Sequence, residues 1–309
     1  MPMPTKNISQ SERNKALIAM RFYRLHHPTG KADLVSTQNA LSNLSFHLVK
    51  DAWRIQRNAI AFMFENVGQY DHARVIHEMK NPVSLPENRH LQKKKRGDCK
   101  RVLETEHSKI VHYILKRNKP NWALLAVLEV VRETGVRPCE IDKMTFNADN
   151  NSLDVISAKK TEDGLRGLDR TFYFDTGQFN TLTAAHEAWK QHKLLSGSDS
   201  TKAMKLLQDQ LARVTKALFP RRKNRITLKS YRHQFGSNLK ASGWSRQETA
   251  AAMGHQSVNS LSLYGNIRNA SRLPEFSVSR TSVMNVRNTV LKTYKPCSDK
   301  LFLLTVHAK

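Results

Sequence analysis

The 309-residue chain predicts a mainly α-helical protein with one small antiparallel β-sheet, divided into two domains. Three observations carry that expectation. Apolar residues recur at helical spacing over most of the length. Only "LDVISAK" and "RTFYFD" read as short strands, and they flank the polar stretch "KTEDGLRG", so they form a hairpin with a long turn. Between roughly 81 and 105 periodicity lapses into two prolines and then "LQKKKRGDCKR", where six of eleven residues are basic.

Charge narrows the partners. Lys and Arg number 51 against 26 Asp and Glu, a formal charge of +25 with 39% hydrophobic residues. Such a surplus points to a polyanion, most simply nucleic acid, with an anionic membrane surface as the second choice. No run of about 18 apolar residues exists, so no membrane span is expected. The opening "MPMPTKNISQSERNK" lacks the apolar stretch of a secretory signal. Cys99, Cys139 and Cys297 are far apart and lack metal-ligand spacing, so neither disulfide nor zinc is expected, and a reducing cytoplasm is.

Element by element, residues 1–30 read as a polar N-terminal extension. Residues 31–90 read as a small basic helical domain, its first helix carrying Leu41, Leu44 and Leu48 on one face from Thr37 onward. Asp51 is placed to cap the next helix, "DAWRIQRNAIAFMFENVG", whose stripe is Trp53, Ile60 and Phe64. Arg54 and Arg57 share a different face and are candidates for contact with a phosphate backbone, against simple solvation. Residues 91–105 form a basic linker, in which Lys93, Lys94, Lys95 and Arg96 either strap along such a backbone or hang free.

A second domain spans 106–266. "NWALLAVLEVVRETG" is a helix capped by Asn121 and closed at Gly135, and "VRPCEIDKM" starts another with Pro138 in its first turn. Helices follow at about 178–195 and 199–218, then "TLKSYRHQFGSNLKASG" with Leu228, Phe235 and Leu239 inward. "SRQETAAAMG" opens on a Ser245–Glu248 capping box and closes at Gly254. Residues 267–309 form a tail whose "TVLKTY" and "KLFLLTV" runs can dock on a neighbouring protomer or on their own domain.

Four stretches carry residues that suit one phosphodiester. Arg137 lies between two helices, Lys159 and Lys160 end the first hairpin strand, and Arg232 sits in a helix with Lys229 one turn earlier. His255 follows a helix end and Tyr264 comes nine residues later. Paired arginines donate to non-bridging oxygens and stabilise a pentacoordinate phosphorane. Lysine can protonate a leaving 5′-oxygen, histidine can bond the phosphate or accept a proton, and tyrosine can attack once cations orient it. Singly, each has a bland reading: Arg137 paired with Glu140, a solvated hairpin lysine, a core tyrosine. Jointly, they supply every group that one reaction needs.

The pieces "TGVRPCEI", "SAKKT", "LKSYRHQFGSNLKASG" and "MGHQSVNSLSLYGN" resemble the tyrosine recombinase (phage integrase) family over roughly 106–266, with His255 23 residues after Arg232. The resemblance implies a helical core-binding domain and a mixed α/β catalytic domain that clamp double-stranded DNA, with four protomers on two sites. It implies that Arg137, Arg232 and His255 activate the phosphate, and that Tyr264 attacks to give a 3′-phosphotyrosine and a free 5′-hydroxyl. No metal, ATP or other cofactor is needed on that reading. The implied role is integration or excision of a mobile element, with DNA-bending or directionality factors as further partners and a cytoplasmic, nucleoid-associated location. Lys229 stands where the family usually carries histidine, which implies an electrostatic role there. Lys159 is favoured over Lys160 as the hairpin lysine. Two rivals share these residues: a type IB topoisomerase, and a DNA-binding regulator that has lost catalysis.

Overall fold

The computed structural model describes residues 9–28, 33–93, 97, 99–161 and 166–287. The chain divides at Arg96 and Gly97 into two units, each with its own core.

The first unit is helical. It comprises α1 (Gln10–His26), α2 (Leu34–Ser45), α3 (Lys50–Asn66) and α4 (Tyr70–Glu78). Phe22, Leu41, Trp53, Ile60, Phe64 and Ile76 meet in its core, and Trp53 Nε1 donates to Leu41 O at 2.7 Å, so the indole is buried with its one donor satisfied. The polar extension expected over 1–30 is here largely a helix. Ser9 and Glu12 form a capping box, and Phe22, only 2% exposed, plugs the core against α3. Burying one such side chain contributes about 1.5–3 kcal/mol toward docking this mostly polar helix. The cap of α3 is Val49, which makes no side-chain bond; Asp51 sits in the first turn, where its charge still favours the helix N-terminus.

The second unit begins within the expected linker, because Cys99 and Val102 are buried in its core. It contains α5 (Glu104–Leu115), α6 (Trp122–Thr134), α7 (Thr176–Leu195), α8 (Ser200–Leu218), α9 (Leu228–Ala241), α10 (Arg246–Ala252) and α11 (Arg280–Met284). Strands β1 (Met144–Asn147), β2 (Ser152–Val155), β3 (Arg170–Phe174) and β4 (Phe276–Val278) form one antiparallel sheet in the order β1-β2-β3-β4. The β2–β3 hairpin matches the sequence expectation, pairing Leu153 with Phe172. The residues expected to continue as a helix after Arg137 form a 3₁₀ turn, Pro138–Lys143, that leads into β1.

Helices α6 and α9 pack together at the centre. Asn121 caps α6 through Leu124 N at 2.7 Å, and Gly135 closes it at φ +58°. Gly135 must be glycine twice over: the backbone is left-handed, and a Cβ would run into the Phe235 ring of α9. From Tyr231 to Leu239 every residue of α9 is buried, so its polar side chains face protein on all sides. The described part of the tail, 267–287, returns to its own unit. Phe276–Val278 adds β4 beside β3, and Arg287 N donates to Gln256 O at 2.9 Å. "TVLKTY" and "KLFLLTV" lie outside the described residues.

Candidate active site

Arg232 leaves the middle of α9, 2% exposed. Its guanidinium donates to the carbonyls of Gly135 and Met253, the last residues before two helix-ending turns. Burial, then the charges of Arg137 and Arg170, pushes its pKa down; two carbonyl acceptors keep the proton favourable. Arg232 Nη2 also lies 3.4 Å from His255 Nε2, and its guanidinium carbon stands 5.2 Å from the Tyr264 ring centre.

Gly254 delivers His255. The backbone turns there at φ +60°, and a Cβ would come within 2.5 Å of Arg170 Nη1. His255 is buried and its pKa falls to about 2, first through burial and then through Arg232, Arg137, Arg170 and Lys159. The ring is therefore neutral near pH 7. Since Arg232 can only donate, Nε2 accepts and the ring proton sits on Nδ1. His255 is thus arranged as a hydrogen-bond donor at Nδ1, and the proton-accepting role open to it in the sequence is not the one its surroundings favour.

Tyr264 ends a 3₁₀ turn, Val258–Leu263, with its ring stacked on His233 at 4.8 Å and 28° and 5.0 Å from His255. The polar spacer of the "GHQSVNSLSLYG" stretch therefore forms a short turn that folds the tyrosine back over the Arg232–His255 pair.

Arg137 caps the Pro138 turn and pairs with Glu140, whose other oxygen takes a 2.9 Å bond from Arg170 Nη2. Burial alone would raise the Glu140 carboxyl, yet Arg170, Arg137 and Arg232 hold it at about 2. Arg137's bond to Glu140 thus does not remove it from the site; the carboxylate orients it. Arg170 belongs to none of the four sequence stretches. The signal was present: Phe172 and Phe174 mark the inward face of β3, and strand alternation puts residue 170 on it. A basic side chain on an otherwise aromatic inner face requires a buried partner.

Arg137, Lys159, Lys160, Arg166, His255 and Tyr264 line an open cleft of about 570 Å³. Lys160 Nζ is tied to Asp169 at 2.6 Å, whereas among the described residues no carboxylate pairs with Lys159. The two lysines, expected to end the first hairpin strand, lie in the turn beyond it, because β2 ends at Val155. Lys229 is exposed in the first turn of α9 and is not among the lining residues. It is exposed where Arg232, one turn on, is buried.

The lining of the cleft is cationic. Arg137 Nε and His255 Nδ1, on lining residues, and Arg170 Nε and Nη1 and Arg232 Nε, on residues outside the lining, are buried donors with no protein acceptor among the described residues. An unsatisfied buried polar group costs roughly 1–3 kcal/mol, more when charged, so an anion or a water that reaches these donors is favoured.

In the first unit, Arg57 donates to Met79 O at 3.1 Å and to Asn58 Oδ1, joining α3 to the end of α4, so these donors serve the fold. Arg54 is exposed, 3.9 Å from Asp51. Lys93 is described and exposed, while Lys94, Lys95 and Arg96 lie outside the described residues.

A buried helix presenting arginine and histidine, a glycine-set histidine and a tyrosine turned over both, beside a small antiparallel sheet, define a class: the chain has the tyrosine recombinase fold. Among solved structures it is similar to the Tn1549 transposon integrase in complex with a circular intermediate DNA, at 11% identity and TM-score 0.53, covering 96% of this chain and 95% of that one. It is likewise similar to the lambda integrase tetramer bound to a Holliday junction, at 16% identity and TM-score 0.54, covering 86% and 75%. The XerH site-specific recombinase bound to its palindromic difH substrate aligns over 81% and 75% at 15% identity and TM-score 0.50. By sequence the chain matches no protein-family model and no curated protein. Among the described residues no helix is long and apolar enough to cross a membrane.

Proposed function

We propose that this protein is a site-specific DNA recombinase of the integrase kind, cutting and rejoining DNA through a tyrosine-linked intermediate. The observation that carries the reading is the convergence of Tyr264, His255 and Arg137 on one cationic cleft, with Arg232 buried against the Tyr264 ring and His255. In this reading the scissile phosphate enters the cleft and takes bonds from Arg137, Arg232 and His255 Nδ1–H. The Tyr264 oxygen attacks phosphorus, its proton passing to water, and the bond from phosphorus to the 5′-oxygen breaks. Lys159 protonates that oxygen as it leaves. One phosphoester bond forms as another breaks, so the strand can be resealed by a 5′-hydroxyl without an energy source.

The +25 charge supports duplex DNA as the partner, and the DNA-bound integrases of similar fold support action at paired sites by four protomers. The role in a mobile element and a cytoplasmic, DNA-associated location belong to the same reading. The test uses a pool of random-sequence duplexes, each nicked near the centre so that cleavage is irreversible. Wild-type protein should yield an SDS-stable protein–DNA adduct, Tyr264→Phe should bind the pool but yield none, and sequencing the captured DNA should return one recurring site. Two copies of that site on a plasmid should then recombine. Adduct with plasmid relaxation but no recombinants would instead support a type IB topoisomerase-like activity. Binding without adduct would support a DNA-binding regulator.

A further inference from the structure

Lys240 stands in the last turn of α9, two turns beyond Arg232. Its ammonium donates to three main-chain carbonyls of the segment that bears the tyrosine: Leu261 at 2.8 Å, Tyr264 at 2.5 Å and Gly265 at 3.1 Å. An ammonium has three protons, and three protein acceptors are in place for them. A lysine that reached out to a DNA phosphate would leave them, and here it is half-buried and turned inward.

The rest of the same helix reads the following residues in the same way. Ser237 Oγ accepts from Asn266 N at 3.0 Å, and Asn238 Oδ1 accepts from Ser271 N at 3.0 Å. Gln234 Nε2 donates to Asn269 O at 2.5 Å and to Ser271 Oγ at 3.2 Å. Gly265 permits the approach, since its φ is +63° and a Cβ would strike Ser237 N. On the tyrosine's own turn Val258 and Leu261 are buried, but Ser262 and Leu263, the two residues just before Tyr264, are exposed. The end of the turn therefore depends on backbone bonds, and Lys240 supplies charge-assisted ones there.

We propose that Lys240 is a positioning residue for Tyr264: by gathering the carbonyls of Leu261, Tyr264 and Gly265 it fixes the attacking oxygen over the phosphate site of the same chain. The role rests on the reading of Tyr264 as the nucleophile. It is separate from phosphate binding, which Arg137, Arg232 and His255 carry, and from leaving-group protonation by Lys159.

The experiment compares full-length wild type with Lys240→Met, which keeps the stem and removes the donors, and Lys240→Arg, which restores donors. Single-turnover adduct formation is measured at saturating protein on the nicked duplex recovered from the random pool, affinity is measured for the same duplex, and amide hydrogen exchange of 260–270 is followed in free protein. Lys240→Met should bind DNA within about 2-fold of wild type and form adduct roughly 10- to 100-fold more slowly, the scale on which misplacing a reacting group acts. Its Asn266 amide should exchange faster, and Lys240→Arg should recover much of the rate and the protection. Unchanged rate and exchange in Lys240→Met would overturn the proposal. So would a parallel loss of affinity and rate, which would make Lys240 a DNA contact. Lys240→Gln serves the same comparison if Lys240→Met does not fold. Should wild type form no adduct while exchange still rises in Lys240→Met, the latch stands and the nucleophile reading falls.

Discussion

His255 shows how a residue's surroundings can change its chemistry. In the sequence it offered a base or a donor; in the fold, burial and four cations hold it neutral and the Arg232 bond settles its tautomer. The same shift has a consequence for stability. Its folded pKa of about 2 lies below the ordinary 6.5, so the unfolded chain binds a proton that the native state refuses. The stability contributed is present above pH 6.5 and is lost as pH falls from there toward 2. Glu140, lowered from 4.5 to about 2, adds a second loss over that lower interval. His107, lowered from 6.5 to about 4 by burial and Arg132, adds to the upper one. Urea unfolding of the second unit should therefore weaken between pH 7 and 5, and His255→Gln should remove up to about 1.4 kcal/mol per pH unit from the slope. An identical slope in the variant would show that His255 is not buried neutral.

The two hairpin lysines and Lys229 separate in the same manner. Lys159→Ala should lower single-turnover cleavage by roughly 100-fold or more, the typical scale for losing a general acid. A substrate with sulfur in place of the bridging 5′-oxygen should restore most of that rate, because a thiolate leaves without a proton. Lys160→Ala, which leaves Asp169 with its bond from Ser157 N, and Lys229→Ala should leave the saturated rate within about 3-fold, with Lys229→Ala weakening DNA binding modestly. Failure of the sulfur substrate to rescue Lys159→Ala would remove the lysine from the acid role.

Among the elements, α1 departs most from expectation. Its exposed Leu17, Met20 and Leu25 blur the apolar stripe, so its periodicity is faint, and only Phe22 and Ala19 reach full burial. Phe22→Ala should cost about 3–5 kcal/mol as a core cavity and lower the midpoint of the first unit's unfolding, leaving the second unit's transition in place. A loss below about 1 kcal/mol would mean that α1 is an appendage. Strand β4 was invisible for a related reason: Phe276–Val278 is three residues long and has strand character only because the edge of β3 is open to it.

Over the full chain, 51 basic residues stand against 26 acidic ones, and on the proposed function that surplus acts through phosphate contacts. Affinity for a random-sequence duplex should fall by at least ~10³ between 50 and 200 mM salt, as for a protein making roughly 6–10 such contacts. Replacing Lys93, Lys94, Lys95 and Arg96 by Gln should flatten the log–log slope by up to about 3.6 if these residues lie on DNA, and an unchanged slope would assign them to a free linker.

Helices and caps that rest on near neighbours were legible before folding. Asn121 and Gly135 around α6, the Ser245–Glu248 box of α10 and the β2–β3 hairpin each depend on residues a few positions apart. That Arg137, Arg232, His255 and Tyr264 lie near one another was legible too, from their residue types and spacing. What no local pattern carries is burial and direction. Whether an arginine is caught by a carboxylate, a lysine by three carbonyls, or a histidine is kept neutral depends on groups that can lie more than a hundred residues away, as Arg137 does from His255. That is why Arg170 and Lys240 went unnoticed, why Arg57 turned inward and Lys229 outward, and why Lys159 and Lys160 could be told apart only once Asp169 had closed on one of them.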